Sequence, residues 1–119
     1  MTTQQIADRL VEICKKGEWE KAHKELYADN AISIEPYATK DFEKETKGLK
    51  AIMEKGKKFE GMVEAMHGLT ASAPMVAANS FAFILNMDVT MKGAGRMNMN
   101  ELCVYEVKDG KIISEQFFM

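Results

Sequence analysis

Acidic residues stand inside otherwise apolar strand-like runs of this chain, and proton chemistry is what such residues could do there. Glu35 closes the run Ala31-Ile-Ser-Ile-Glu35, just before Pro36. Enclosure at a strand end would raise its pKa above the roughly 4.3 of free glutamate, toward what a general base needs at neutral pH. On a solvated loop it would be only a surface charge. Glu101 alternates with Met97, Met99, Cys103, Tyr105 and Val107 along 96–108. It therefore shares an apolar face, where a charge must be paired or protonated. Tyr105 lies on that side too and could donate to a ligand oxygen; if the face is only half covered, Glu101 would pair with Arg96 or a lysine instead. Asp88 lies on the preceding strand beside Asn86, opposite the side carrying Phe81, Phe83, Leu85 and Met87. The sequence leaves open which of those two sides points inward. His67 has an unperturbed pKa suited to proton transfer, although a lone histidine in a strand is commonly a hydrogen-bonded core residue. Gln116 could orient a ligand or satisfy backbone groups.

The bulk composition narrows the partners. With 119 residues, 46% apolar and 29% charged, the chain is one domain of ordinary globular balance. A net charge of −2 offers no footprint for nucleic acid. The lysines at 44–58 are interleaved with Glu43, Glu45, Glu54 and Glu60, which reads as a solvated helix face. No apolar stretch approaches about 18 residues, so no membrane span is expected. The first residues Met-Thr-Thr-Gln-Gln lack the charged and apolar regions of a secretion signal, so a cytoplasmic location is expected. Cys14 and Cys103 lie far apart among apolar neighbours and read as buried free thiols. His23 and His67 share no ligand spacing, and no phosphate loop, zinc motif or Ser-His-Asp order is present, so neither metal nor cofactor is expected. Ten methionines favour a flexible apolar cavity and hence an apolar ligand over a sugar or phosphate.

The elements that must hold these groups are legible in outline. Thr2 and Thr3 can cap a first helix whose stripe is Ile6, Leu10, Ile13 and Cys14, ended by Gly17. A second helix runs from about Glu18 to Asp29-Asn30 with Trp19, Ala22, His23 and Leu26 at helical spacing. A short strand, 31–35, and a polar loop, 37–46, follow. A third helix opens at Thr46-Lys-Gly48 with Leu49, Ile52, Met53 and Phe59 as its stripe; Gly56 inside it weakens it. Strands are expected at about 63–73, 77–91, 96–108 and 111–118, with Gly93-Ala-Gly95 and Asp109-Gly110 as hairpin turns. This order predicts an α+β fold, helices on one face of a curved antiparallel sheet, with a pocket between the layers. Burying the second sheet face would take a homodimer.

Three strings carry a family resemblance: Tyr27-Ala-Asp-Asn-Ala-Ile-Ser-Ile-Glu-Pro36, Lys47-Gly-Leu-Lys-Ala-Ile52, and Asn98-Met-Asn-Glu-Leu-Cys-Val-Tyr-Glu-Val-Lys-Asp-Gly-Lys-Ile112. Together with Ser114-Glu-Gln-Phe-Phe118 they resemble the SnoaL-like branch of the nuclear-transport-factor-2-like superfamily. The resemblance implies a cone-shaped, cystatin-like α+β barrel, a scaffold that hosts isomerases, dehydratases, epoxide hydrolases, polyketide cyclases and non-catalytic binders. It places Glu35 on the general base of ketosteroid isomerases. Their polarising tyrosine falls near Leu10, and their protonated aspartate near Leu102 or Cys103. Asn86-Met-Asp88 resembles the Arg-x-Asp pair of limonene-epoxide-hydrolase-like members, whose second aspartate is matched by Gln116. The acid/base aspartate of the polyketide cyclases falls near Cys103.

The sequence thus predicts a SnoaL-like small-molecule-binding domain. Its chemistry would be isomerisation, cyclisation or dehydration of a small apolar carbonyl compound, with Glu35 as base and protonated Glu101 and Tyr105 as donors. Asp88, His67 and Gln116 are expected to join the ligand pocket. The alternative is a dimeric accessory or ligand-binding protein with no chemistry.

Overall fold

The first helix starts on a reciprocal cap. Thr2 Oγ accepts from Gln5 N–H at 3.1 Å, and Gln5 Oε1 accepts from Thr2 N–H at 2.8 Å, which satisfies two of the orphan donors at a helix start. The computed structural model describes all of residues 1–119. In it α1 (Thr3–Lys15) buries Ile6, Leu10, Ile13 and Cys14, the expected stripe, and stops before Gly17, which takes φ +69°. A Cβ at Gly17 would stand 3.4 Å from Leu69 Cδ2, and the left-handed backbone adds its own strain. Gly17→Ala is therefore expected to destabilise the fold by about 1–2 kcal/mol in urea titration.

Helix α2 (Trp19–Leu26) ends at Leu26 rather than near Asp29-Asn30, because Tyr27 is already extended and opens strand β1 (Tyr27–Ile34). Tyr27 pairs with Ile112 and is buried, so long-range pairing ends the helix before its local pattern does. Where the expected polar loop, 37–46, meets the expected start of the third helix, a three-residue strand, β2 (Glu45–Lys47), forms on the edge beside β1. Helix α3 (Leu49–Met62) runs through Gly56, and there a Cβ would meet His23 Cε1 at 3.4 Å. The glycine lets α2 approach α3. Strands β3 (Val63–Ala71), β4 (Met75–Ala77), β5 (Ser80–Met91), β6 (Gly95–Lys108) and β7 (Lys111–Phe118) complete the chain. Asp109 and Gly110 both have positive φ, the mirror-image turn that the Asp-Gly pair predicts.

The fold is α+β, as expected, and the sheet order is β2-β1-β7-β6-β5-β3, with β4 also on β5. Two features were not anticipated. The sheet is mixed, because β1 runs parallel to β7, and it is an open curve whose edges are β2 and β3. The helices cover one face. Against them β5 presents Phe81, Phe83, Leu85, Met87, Val89 and Met91, all buried, which decides the side left open by the sequence. No helix is long and apolar enough to cross a membrane.

Among several register shifts in the sheet, one in β3 and one in β7 decide which candidate side chains face the helices. In β3, Met66 pairs with Val89 and Gly68 with Asp88, so His67 is an extra residue. In β7, Ser114 pairs with Glu106 but Ile112 with Val107, so Ile113 is extra. Beyond Ile113 the alternation reverses: Glu115 is buried, and Gln116 shares the opposite side with Val104 and Ile34.

Candidate functional site

Helices α1–α3 and the inner sheet face form a partly open cavity of about 270 Å³. Its walls are mainly apolar, with Leu10, Trp19, Ile52, Phe59, Leu85 and Met87 among them. Pro36, Tyr37, Thr39 and Phe42, from the segment after β1, line it as well, together with Met119. Glu35 N–H donates to Lys44 O at 2.7 Å, which ties the two ends of that segment together.

Strand alternation in β6 carries Glu101 to the cavity between Met99 and Cys103, directly opposite Leu85 of β5. The residue is nine-tenths buried; its carboxyl makes no hydrogen bond or ion pair within the chain, and its oxygens stay accessible from the cavity. Burial pushes its pKa up to about 7, the nearby Glu35 and Glu115 carboxyls push the same way, and Lys55 partly offsets them. Tyr105, on the same side of β6, stacks on Phe81 at 4.9 Å and on Phe83 at 5.6 Å between ring centres. Its phenol is buried and stays protonated far above the ordinary range.

A hydrogen-bonded chain of polar groups lies alongside. Glu115 is fully enclosed; it accepts from the Tyr27 hydroxyl and from Ser33 Oγ, the latter at 2.6 Å. Ser33 and Glu115 are brought abreast by the parallel β1–β7 register. Burial raises the Glu115 pKa against the opposing pull of those hydrogen bonds and of Lys55. From α3, Lys55 Nζ donates to Ser33 Oγ at 2.6 Å and to Glu35 Oε2 at 2.8 Å, and sits 5.7 Å from the centre of the Phe117 ring. His23 meets Tyr27 edge-on and is neutral at pH 7, because burial and then Lys55 push its pKa down to about 4.

Of the residues singled out from the sequence, Glu35, Glu101 and Tyr105 line this cavity. Asp88, His67 and Gln116 do not. Asp88 projects from the opposite side of β5 and is held bidentately by Arg96 at 3.0 and 2.8 Å, which keeps its carboxyl below its usual range. Arg96 is thus engaged by Asp88 and leaves Glu101 unpaired. His67, displaced by its bulge, is exposed and hydrogen-bonds Thr90 Oγ1 at 2.6 Å. Gln116 is turned away by the Ile113 bulge. Cys14 and Cys103 are buried free thiols whose pKa values burial raises well above the ordinary range.

Three cavity-side groups escaped the sequence reading. Lys55 carried a signal: it lies three residues after Ile52 and four before Phe59, on the apolar stripe of α3 rather than on the solvated side where the lysine run suggested it. Glu115 follows adjacent isoleucines, Ile112-Ile113, whose break in alternation marks the bulge that turns it inward. Ser33 depends on the parallel pairing, for which no local signal exists. No group of three or more His, Cys, Asp or Glu side chains is arranged to hold a metal ion.

An acid whose pKa burial raises toward neutrality, in a mainly apolar cavity that a part-buried ammonium also lines, is equipped to accept and return a proton. The family model described as SnoaL-like domain matches residues 1–119. No curated protein matches the sequence. Among solved structures, a suggested SnoaL-like polyketide cyclase of Mesorhizobium loti, also labelled carbohydrate phosphatase, is 32% identical with a TM-score of 0.90, and the match covers 100% of both chains. IdmH of Streptomyces antibioticus, a suggested polyketide cyclase, is 16% identical with a TM-score of 0.74, covering 99% of this chain and 91% of that one. A protein of ketosteroid isomerase-like fold from Catenulispora acidiphila, in complex with trimethylamine, is 14% identical with a TM-score of 0.75, covering 99% and 87%.

Proposed function

The chain belongs to the SnoaL-like domain family, and on that footing we propose that it catalyses acid/base chemistry on a small apolar carbonyl compound, an isomerisation, cyclisation or dehydration. One observation carries this reading: Glu101, a largely buried residue, turns a carboxyl with no partner from the chain into the cavity. In the proposed step the Glu101 carboxylate takes a proton from the carbon next to the carbonyl. The electron pair of that C–H bond forms the new C=C bond, and the carbonyl π pair moves onto oxygen. The proton returns to a different carbon in an isomerisation, or the new carbon nucleophile closes a ring. Glu35 is engaged by Lys55, so in this reading it anchors the lysine while Glu101 is the base. Tyr105 shapes the aromatic wall.

The apolar lining and three carboxyl groups favour a neutral substrate over a phosphate ester, which those acids would repel. The test is exchange of α-protons of small apolar ketones and aldehydes with D₂O, followed by NMR with and without the protein. Catalysed exchange that disappears in Glu101→Gln supports the reading. Ligand binding without exchange across the set sinks it and leaves the second reading, a non-catalytic binder, which the engagement of Glu35 by Lys55 favours.

We further propose that the outer sheet face pairs two copies of the chain. Ile84, Leu102 and Phe118 are direct cross-strand neighbours there, and they are 48%, 43% and 46% exposed. Such a row across three strands suits a self-complementary interface. Sedimentation velocity is expected to give twice the 13.4 kDa chain mass for the wild type and the single mass for Leu102→Asp. A monomeric wild type would rule the pairing out.

A further inference from the structure

Resting on the proposed proton transfer at Glu101, we infer that Lys55 is the group that binds the substrate's carbonyl oxygen, held in place for that task by Ser33 and Glu115. An ammonium has three N–H donors and no acceptor. Two of those on Lys55 are spent, one on Ser33 Oγ and one on Glu35 Oε2, and no acceptor in the chain takes the third. The residue lines the cavity, and its side chain is only 15% exposed. A donor with one free hydrogen in a mainly apolar cavity is placed to meet an oxygen of the ligand, and the low local polarity strengthens that contact relative to water.

The cavity's other polar groups serve less well. The Tyr105 phenol is a neutral donor whose ring is held in the aromatic stack, and the His23 imidazole carries no charge at neutral pH. Lys55 alone among the cavity groups brings a positive charge to the oxygen on which negative charge develops. The step balances without any proton leaving Lys55: Glu101 gains the α-proton, the oxygen gains the electron pair, and the ammonium donates a hydrogen bond to it throughout.

The support beneath Lys55 is as specific as the lysine. Ser33 Oγ donates to the Glu115 carboxyl and can therefore offer a lone pair to Lys55 Nζ. The Phe117 ring flanks the ammonium, and Glu35 holds it as well. Ser33 and Glu115 are thus positioning residues that act through Lys55.

The test uses p-nitrophenol, whose phenolate mimics an enolate and absorbs in the visible while the phenol does not. It is bound to the full-length Glu101→Gln protein, so that the neighbouring carboxyl does not titrate, and the bound ligand is followed by absorbance against pH. The bound phenol is expected to ionise at lower pH than free p-nitrophenol. Adding Lys55→Met should reverse that shift, reducing the phenolate-to-phenol ratio at fixed pH by tenfold or more. Lys55→Gln serves as a second variant if the methionine protein does not fold. Ser33→Ala should move the ratio the same way by a smaller factor, a response that a purely structural serine would not give. An unshifted bound phenol, a shift indifferent to Lys55, or no binding at all overturns the assignment. The readout needs no turnover. Failure of α-proton exchange with the phenolate shift intact would therefore count against the catalytic reading alone.

Discussion

Glu101→Gln is expected to lower the rate of α-proton exchange by about 10²- to 10⁴-fold while leaving ligand affinity within a small factor. That range is what a positioned proton carrier typically contributes. Glutamine keeps the shape and polarity of the side chain and removes only its capacity to take a proton. In the wild type the rate should rise with pH as the carboxylate forms, with its midpoint near the pKa of about 7. Rates are measured by NMR in D₂O over pH 5–9. A flat pH profile, or a variant as fast as the wild type, would remove Glu101 from the mechanism.

The same substitution is expected to stabilise the fold at alkaline pH, by about 3 kcal/mol at pH 8. Glu101 is nine-tenths buried, and its pKa in the folded protein lies above the ordinary 4.5, at about 7. Between those two values the folded state binds more protons than the unfolded chain, so stability falls as pH rises through the interval and levels off above it. Glu115, whose pKa is also raised by burial, adds to the slope in the same direction. The carboxylates lowered by ion pairing, Glu20 with Lys24, Glu25 with Arg9 and Asp88 with Arg96, act oppositely but titrate below that window. Urea denaturation at pH 5 and pH 8 should therefore show a wild type that weakens toward pH 8 and a Glu101→Gln protein that weakens much less. Equal pH dependence in the two would mean that Glu101 is not enclosed. A carboxyl in a largely buried residue whose ionisation lowers stability is understandable where it serves a reaction.

Local chemistry made much of this fold readable. The Thr2 cap, the α1 stripe, the Asp109-Gly110 turn and the alternation along β5 and β6 depend on residues near one another in the chain, and each lies where the pattern indicates. Glu101 and Tyr105 could be placed on the inner face because β6 alternates without interruption from Met97 to Val107. The unread features depend on residues far apart. Tyr27 leaves its helix because Ile112 pairs with it across the parallel junction, and that junction also brings Ser33 to Glu115. A single extra residue, Ile113, exchanges the roles of Glu115 and Gln116, and another, His67, moves a candidate histidine out to solvent. Lys55 sat in a lysine-rich run that looked solvated, although its spacing from Ile52 and Phe59 put it on the buried stripe.

The first measurement to make is a carbon-13 NMR titration of the glutamate side-chain carboxyls, with Glu101 assigned by its loss in Glu101→Gln. The expected result is one resonance with a midpoint near pH 7 that belongs to Glu101 and moves when a small apolar ketone is added. A Glu101 carboxyl that titrates near the ordinary glutamate value of roughly 4.3 would contradict the enclosed, partnerless acid on which the proposed chemistry depends.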